Sequence, residues 1–482
     1  MASSQRDLEA AIAATRFGLG ARKGEIAEAA RDPRGYLKGQ IHRSGAETFP
    51  TGGDTSTVRL AEFRAYRRER VQAGRQAPPQ AGDATAMAPA SQVDAAVNAA
   101  QQFIRRKGPL DVQARTLLGA TTEAGFRERW ALFWANHFTV SAIKVQTATL
   151  VGPYENEAIR PHVFGRFADL LGAVETHPAM LLYLDQAQSV GPNSSAATFQ
   201  RRGGRRAQAS QQRPSRGLNE NLAREILELH TVGIDGGYHQ ADVTEFARAL
   251  TGLSIAGPRD PVQDQVVFRE TTHEPGERNI MGVRYASGGK AQANAILSDL
   301  AAKPATARFI CAKIARHFVA DDPPPALVAR LEKTWNATGG DLGRVAEALI
   351  DAPESWAPQP LKFKTPYEFV VSSYRALGVA PRGQQVSVAL NGLGQRPFGA
   401  PSPKGWPDEA APWAASDAIV KRMQFAQGFA AIVGPNVQDP VALADAALGA
   451  RLTSAAATAI RRAESRPEAV ALLLMTPEFQ RR

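Results

Sequence analysis

The feature that most constrains the fold of this chain is residues 219–252, where charged residues, histidines and glycines are concentrated in a helix–turn–helix pattern. At 100° per residue, apolar side chains from Leu222 to Leu229 share one face of the first helix, and charged side chains fill the other. Three glycines between 233 and 237 permit the positive φ that ends this helix and redirects the chain. The second helix then begins near Asp242. Two amphipathic helices joined so tightly predict helices that cross at large angles around a shared core.

Two histidines fall on apolar helix faces. His230 projects into the middle of the apolar face of the first helix, where leaving a ring nitrogen unsatisfied costs about 1–3 kcal/mol. The stretch 122–141 is predicted to be a second core helix because its aromatic residues share a face, and His137 lies on that face. Each ring therefore needs polar partners from elsewhere in the chain. Together the two histidines predict a buried polar site.

Charged residues near these helices allow two interpretations. Arg224 lies four residues from both Glu220 and Glu228 on the first helix. The charged side chains of this face form either solvated ion pairs or, at Glu225 and Glu228, a functional carboxylate cluster. Upstream, Glu155 either pairs with nearby Arg160 or orients an imidazole, that of His162. The sequence leaves both questions open.

These residues support two hypotheses about function. The first is an enzyme with a buried histidine–carboxylate site, either a metal-free acid–base site or one that uses a divalent transition metal such as zinc, iron or manganese for hydrolysis or oxidation. Neither HExxH nor a Glu-x-x-His repeat is present. The second is a binding or assembly protein for an unknown small-molecule or protein partner, with purely structural core histidines. The catalytic candidates are His137, Arg224, Glu225, Glu228 and His230, and the candidate metal ligands are His137, Glu155, His162 and His230.

Composition indicates a globular protein and gives little support for a nucleic-acid partner, although association through the basic loops is a third interpretation. The 482 residues, 44% of them hydrophobic, suffice for one large domain over 1–482. A net charge of +10 would suggest a polyanionic partner if it lay on one ordered face. Many arginines instead lie in 189–216, a Gly- and Ser-rich tract predicted to be a flexible insertion. A second polar tract, 73–92, is predicted to be disordered.

The chain carries few signals of compartment. Cys311 is the single cysteine, which excludes an intrachain disulfide and cysteine-based metal clusters. No run of 18 apolar residues predicts a transmembrane segment. The first residues lack a basic leader followed by an apolar core, so we expect a soluble, cytoplasmic protein, or a periplasmic or secreted one if a leader has been removed.

The rest of the chain predicts further helices and little sheet. Residues 265–268 and 282–285 are the β candidates and are expected to pair as one small hairpin. The Pro- and Gly-rich loop 395–412 contains Phe398, Trp406 and Trp413 and is expected to wrap across the core. Ten helices are predicted in the last third: 292–302, 305–319, 324–337, 341–351, 365–378, 382–393, 416–432, 440–449, 453–463 and 466–474.

Several stretches spread along the chain resemble one widespread bacterial family, known as domain of unknown function eighteen-hundred. They are RFGLGAR, FWANHF, YENEAIRPH, HPAMLLYLD, NENLAREILELHTVGIDGGY, DVTEFARALTG, PATARFICAKIARHFV and LGQRPFGAPSPKGWP. The resemblance implies one mainly helical unit. Many relatives look exported, and this chain is expected to differ from them, because its first residues do not show the leader pattern. The family brings no established activity. We therefore expect a mainly α protein: a large irregular orthogonal helical domain with one small β hairpin and flexible insertions.

Overall fold

A computed structural model describes residues 4–51, 54–76, 106–202, 217–257 and 260–482. It confirms a mainly α-helical protein. No helix in the described part of the chain is both long and apolar enough to cross a membrane. The α-helices are α1 (Gln5–Ile12), α2 (Glu25–Ala29), α3 (Pro33–Lys38), α4 (Ser56–Gln76), α5 (106–121), α6 (Gly125–His137), α7 (Val145–Ala148), α8 (Val151–Tyr154), α9 (Phe167–Glu175), α10 (Pro178–Tyr183), α11 (Ser195–Arg202), α12 (Asn221–Glu225), α13 (Gln240–Leu250), α14 (Lys290–Ala302), α15 (Pro304–Phe318), α16 (Pro325–Thr338), α17 (Leu342–Asp351), α18 (Pro366–Leu377), α19 (Gly383–Gly392), α20 (Ser416–Val433), α21 (Pro440–Leu448), α22 (Ser454–Arg461), α23 (Arg466–Met475) and α24 (Pro477–Gln480).

Short π and 3-10 segments adjoin or connect several of these α-helices. A widened π turn extends or follows three of the helices, and π turns are often found at functional positions. The π segments are Ala13–Phe17, Glu155–Ile159 and Ile226–His230, and the 3-10 segments are Arg160–His162, Gln186–Gln188, Glu270–Thr272, Pro353–Trp356, Gly434–Asn436 and Gly449–Arg451.

Local capping explains why the helices of the last third match their predicted ranges so closely. At the start of α18, the Thr365 hydroxyl accepts from the Glu368 backbone N–H, while the Glu368 carboxylate accepts from the Thr365 N–H at 2.8 Å. Pro366 occupies the first turn, where its missing N–H costs nothing. The same cap fixes the Glu368 side chain, which lines the cavity described below.

The two predicted insertions are only partly described. Residues 73–76 of the predicted stretch 73–92 continue α4, and the remainder lies outside the described residues. Within 189–216, residues 195–202 form α11, and 203–216 lie outside the described residues.

The strands occur near the predicted positions, but their partners differ from the expectation. Two two-stranded antiparallel sheets replace the single hairpin: β1 (Leu253–Ile255) pairs with β2 (Val266–Phe268), and β3 (Arg278–Ile280) pairs with β4 (Val283–Tyr285). The turn between β3 and β4 is Met281-Gly282, both at positive φ. Two positive-φ residues match the twist of adjacent strands, so this turn pairs its own neighbours and leaves β2 to β1.

Two clusters of buried apolar side chains form the core. The first surrounds α6, where Trp130 donates from Nε1 to the Val163 carbonyl at 2.7 Å and stacks on Phe164 at 6.0 Å. The second lies around α18, α20 and α23, with Phe369 fully buried. Phe398, in the loop after α19, packs against both clusters. The loop 395–412 therefore crosses the boundary between them, as the sequence predicted.

Candidate active site

The structure brings the two core histidines together. His137 and His230 are 2% and 0% exposed, and their ring centroids are 6.1 Å apart. His230 Nδ1 lies 2.7 Å from a Glu175 carboxylate oxygen without the alignment of a hydrogen bond. His137 Nδ1 lies 2.8 Å from Lys313 Nζ. Glu175 and Lys313 belong to helices α9 and α15, and no pattern in the sequence predicted that they would meet the histidines.

The protonation states within this group follow from burial. Burial lowers the pKa of His137 well below its usual value, and the charges of Lys313 and His230 lower it further. The neutral ring therefore donates from Nε2 to the His230 carbonyl at 3.3 Å and accepts from Lys313 at Nδ1. Burial also lowers the pKa of Lys313 to about 8. The ring of His137 thus has both nitrogens satisfied within the core.

The remaining candidate metal ligands do not join this pair. Glu155 binds Arg160, with Oε1 to Nη2 at 2.7 Å, in agreement with the ion-pair interpretation. His162 is half-buried in the 3-10 segment that follows. In the part of the chain that the structure describes, no group of three or more His, Cys, Asp or Glu residues is placed to hold a metal ion. The predicted metal set His137, Glu155, His162 and His230 is therefore not assembled.

The charged face of α12 lies at the surface. Arg224 is 37% exposed and pairs with Glu220 at 3.2 Å and with Glu228 at 3.6 Å. Glu225 is half-buried, and burial raises its pKa. Of the three catalytic candidates on this face, Arg224 and Glu228 form a solvated i,i+4 ion pair, and Glu225 is a flanking carboxyl group.

A cavity that the sequence did not predict lies between α6, α18 and the loop after α19. Its volume is about 980 Å³, including the part open to solvent. Apolar side chains such as Leu132 and Phe398 line it together with polar and charged ones. A largely apolar hollow with a few convergent polar groups is typical of small-molecule sites. The charged and imidazole side chains on its wall are Arg115, Arg129, Glu155, His317, Glu368, Arg396 and Asp408.

His317 and Asp408 form a pair on this wall. The Nδ1 atom of His317 lies 3.1 Å and 3.2 Å from the two Asp408 carboxylate oxygens. Burial raises the pKa of Asp408, but His317, Lys362 and Arg482 outweigh it and hold the pKa at about 2. Burial lowers the pKa of His317 against the opposing charge of Asp408.

These shifts define the tautomer of His317. The Asp408 carboxylate is ionised and only accepts, so Nδ1 carries the hydrogen and donates it. The neutral ring then has its lone pair on Nε2, which is buried and makes no hydrogen bond within the described residues. A carboxylate that fixes the tautomer of an imidazole is the arrangement found in acid–base catalytic sites.

Arg129 and Glu368 form a second pair beside it. Arg129 is anchored by donating from Nε to the Gly18 carbonyl at 2.6 Å, and its Nη1 contacts the Glu368 carboxylate. Burial raises the pKa of Glu368, but Arg482 and Arg129 outweigh it, so the pKa falls well below its usual value. This carboxylate remains charged at neutral pH.

Arg115 and Glu155 also line the cavity. Arg115 Nε lies 2.9 Å from Glu155, and the guanidinium stacks over the rings of Tyr367 and Phe398, each at 5.0 Å. Glu155 begins the π segment that ends at Ile159. Glu155 lines the cavity, and its partner Arg160 is fully buried. Glu155 thus has a place in a site, though a different one from the site predicted.

A tight backbone contact holds the loop 402–408 over the cavity. Asn136 accepts from the Trp406 N–H at 2.8 Å and donates to the Trp406 carbonyl at 3.0 Å. Gly405, the residue before Trp406, has φ +86°, and a Cβ there would lie 2.4 Å from the Asn136 carbonyl oxygen. Only glycine fits this position without displacement. The contact fixes Asp408 three residues later.

Stretches that carry the sequence resemblance converge on the cavity. FWANHF supplies Asn136, YENEAIRPH supplies Glu155, PATARFICAKIARHFV supplies His317, and LGQRPFGAPSPKGWP supplies Gln395. A family model described as "Protein of unknown function (DUF1800)" matches residues 12–481 of the chain. No curated protein and no solved structure matches it.

Proposed function

Because the chain belongs to the family of unknown function DUF1800, we propose its function from the chemistry of the cavity: it is an enzyme that uses His317 as an acid–base group on a small-molecule substrate. The observation that carries this proposal is the His317–Asp408 pair on the wall of a partly apolar cavity. A positioned imidazole of this kind contributes typically about 10²–10⁴-fold to a rate.

The roles of the pair follow from its hydrogen bonding. Asp408 holds the proton on Nδ1 of His317, which leaves Nε2 as the atom that accepts a proton from the substrate and returns it. The His317 side chain is 13% exposed and its Nε2 is covered, so a substrate reaches that atom after neighbouring side chains shift. Catalytic hydrogen bonds are often long or poorly aligned before a substrate binds, and they shorten in its complex.

The proposal gives the core histidines a structural role. His137 has partners on both ring nitrogens, and His230 is fully buried beside Glu175. Neither residue lines the cavity. Two enclosed histidines are also what the alternative function, a binding or assembly protein, would require, so the experiment must distinguish turnover from binding.

The test compares turnover by the wild-type protein and two variants in a mixture of small metabolites, followed by mass spectrometry. We expect the wild type to consume at least one compound, His317→Gln to lose at least about 100-fold of that rate, and His42→Gln, at an exposed histidine, to retain it. If His317→Gln consumes the compound as fast as the wild type, His317 is not the acid–base group. Compounds retained by the wild type without any turnover would favour the binding protein.

A further inference from the structure

Behind the cavity wall lies a group of buried basic side chains with too few acidic partners. Arg16, Arg129, Arg451 and Arg482 are 1%, 1%, 8% and 0% exposed, and Lys364 is 2% exposed. We call these five residues the basic cluster. They come from distant parts of the chain, from Arg16 in the π segment after α1 to Arg482 after α24. Buried charges without opposite charges are costly, so such a group needs a counter-charge.

The acidic residues within reach do not balance the basic cluster. Glu368 contacts both Arg129 and Arg482, the latter at 3.1 Å. Asp408 lies 4.0 Å from Arg482, but it already pairs with His317 at 3.1 Å and with Lys362 at 3.8 Å. Lys362 has a closer partner in Asp321, at 2.6 Å. Within the described residues, the carboxylates in contact with the five side chains of the basic cluster are therefore those of Glu368 and Asp408.

The members of the basic cluster lie near enough to affect one another. Burial lowers the pKa of Arg16 to about 9, and the charges of Arg451 and Arg482 contribute. Burial also lowers the pKa of Arg129 to about 10, again with a contribution from Arg482. Mutual repulsion of this kind is relieved by a bound anion.

Five buried guanidinium nitrogens of the cluster also lack an acceptor within the described residues, and a sixth, Arg482 Nη2, lies 3.1 Å from Glu368 without the alignment of a hydrogen bond. Arg16 donates from Nη1 and Nη2 to the carbonyls of Ser355 and Gln359, and Arg451 donates from Nη1 to Thr15. The buried nitrogens that donate no hydrogen bond within the described residues are Arg16 Nε, Arg129 Nη2, Arg451 Nε and Nη2, and Arg482 Nε and Nη2. Buried N–H groups almost always find an acceptor, and guanidinium groups pair best with planar or tetrahedral oxyanions.

We propose that the basic cluster is a binding site for a divalent oxyanion of the phosphate or sulfate type, which enters from the cavity at Arg129. Arg129 and Glu368 belong both to the cavity wall and to the cluster. A divalent anion fits better than a single carboxylate because more than one positive charge is uncompensated. This site goes beyond the proposed acid–base function and does not depend on it.

The experiment is calorimetric titration of the full-length protein with inorganic phosphate and with sulfate, against sodium chloride at matched ionic strength. We expect saturable binding of phosphate or sulfate with a stoichiometry near one, and none with chloride. Equilibrium dialysis of the wild type with labelled phosphate gives the same answer without any variant. If neither oxyanion binds saturably, the proposal is overturned. Water would then satisfy the buried N–H groups, and loss of protons would reduce the charge of the cluster.

Variants locate the site. Arg451→Gln removes two of the free donors away from the cavity, so we expect its Kd for phosphate to rise at least about tenfold, or about 1.4 kcal/mol. Arg451→Lys keeps the charge and is a milder change if the first variant folds poorly; it should weaken binding less. Arg308→Gln, at a 72% exposed side chain, should bind like the wild type. Equal loss in Arg308→Gln would mean a surface effect and contradict the assignment. A His317→Gln variant that loses turnover but binds phosphate separates this proposal from the preceding one.

Discussion

The core histidine pair and the cavity wall both combine an imidazole with a carboxylate, yet they differ in enclosure. Around His230 and Glu175, both side chains are at most 1% exposed. Around His317 and Asp408, the side chains are 13% and 22% exposed and line a cavity that is partly open to solvent. The first arrangement is sealed by aromatic rings, including Phe138 at 5.2 Å from His230. The second borders a cavity that opens to solvent, although Nε2 of His317 itself is covered.

Because of this difference in enclosure, we expect the His230 region to contribute to stability and the His317 region to contribute to catalysis. An enclosed imidazole–carboxyl pair can support only the fold, because no substrate reaches it, and removing one partner leaves the other buried without its polar neighbour. A pair on a cavity wall can exchange protons with a ligand, and part of its charge is already solvated. We therefore expect changes at His230 to act on the free energy of unfolding, and changes at the cavity to act mainly on turnover.

The largest expected effect on stability is that of His230→Ala. It leaves the Glu175 carboxylate buried without its imidazole and opens a space in the core, so we expect a loss of about 3–5 kcal/mol. The free energy of unfolding in urea, with circular dichroism as the probe, measures this loss. His42→Ala, at the surface, should change it by less than about 0.5 kcal/mol. A loss below about 1 kcal/mol for His230→Ala would show that the His230–Glu175 pair does not stabilise the core.

The next effect concerns the loop over the cavity. Gly405→Ala introduces a Cβ 2.4 Å from the Asn136 carbonyl oxygen at φ +86°, so we expect a loss of about 1–3 kcal/mol and displacement of Asp408 from His317. Turnover, once a substrate is found, should fall with it. Gly428→Ala is the matched control because Gly428 lies in α20 with no atom within 4 Å of the added Cβ. That variant should gain about 0.5–1 kcal/mol. Equal stability of the two alanine variants would contradict the close contact at Gly405.

The sequence predicted the fold far better than the cavity, for a local reason. Helix ends such as that of α18 are encoded by a few adjacent residues, Thr365, Pro366 and Glu368. His230 could be placed in the core because helical periodicity alone decides which face it occupies. His317 and Asp408 are 91 residues apart, and no periodicity links them. Asp408 follows Trp406-Pro407 in a loop expected to cross the core, and that aromatic, proline-rich composition was the available signal.

The pH dependence of the free energy of unfolding tests the protonation state of the core histidine His137. The folded-state pKa of His137 lies well below its usual 6.5 because of burial and Lys313. In the unfolded chain this histidine binds a proton near pH 6.5, whereas the folded protein excludes it. Its contribution to stability is therefore complete above about pH 6.5 and is lost as pH falls toward the folded pKa, at up to about 1.4 kcal/mol per pH unit.

His317 acts in the same direction, since burial lowers its pKa too. We expect the free energy of unfolding to fall between pH 7.5 and 5.5, and to fall less steeply in His137→Gln, although that variant is less stable at pH 7.5. Urea unfolding at three pH values measures the slopes. An unchanged slope in His137→Gln would mean that His137 is protonated in the folded protein and would contradict its neutral role.

The smallest expected effect is at Arg224, which the sequence placed among the catalytic candidates. Its side chain is 37% exposed, and its partner Glu220 keeps hydrogen bonds from Thr244 at 2.7 Å and Gln240 at 2.8 Å. Exposed ion pairs contribute about 0–1 kcal/mol, so Arg224→Ala should change the free energy of unfolding by less than about 1 kcal/mol and leave turnover unchanged. Turnover and urea unfolding are measured on the same preparation. A tenfold loss of turnover at wild-type stability would place the α12 carboxylates, and not the cavity, at the centre of the chemistry.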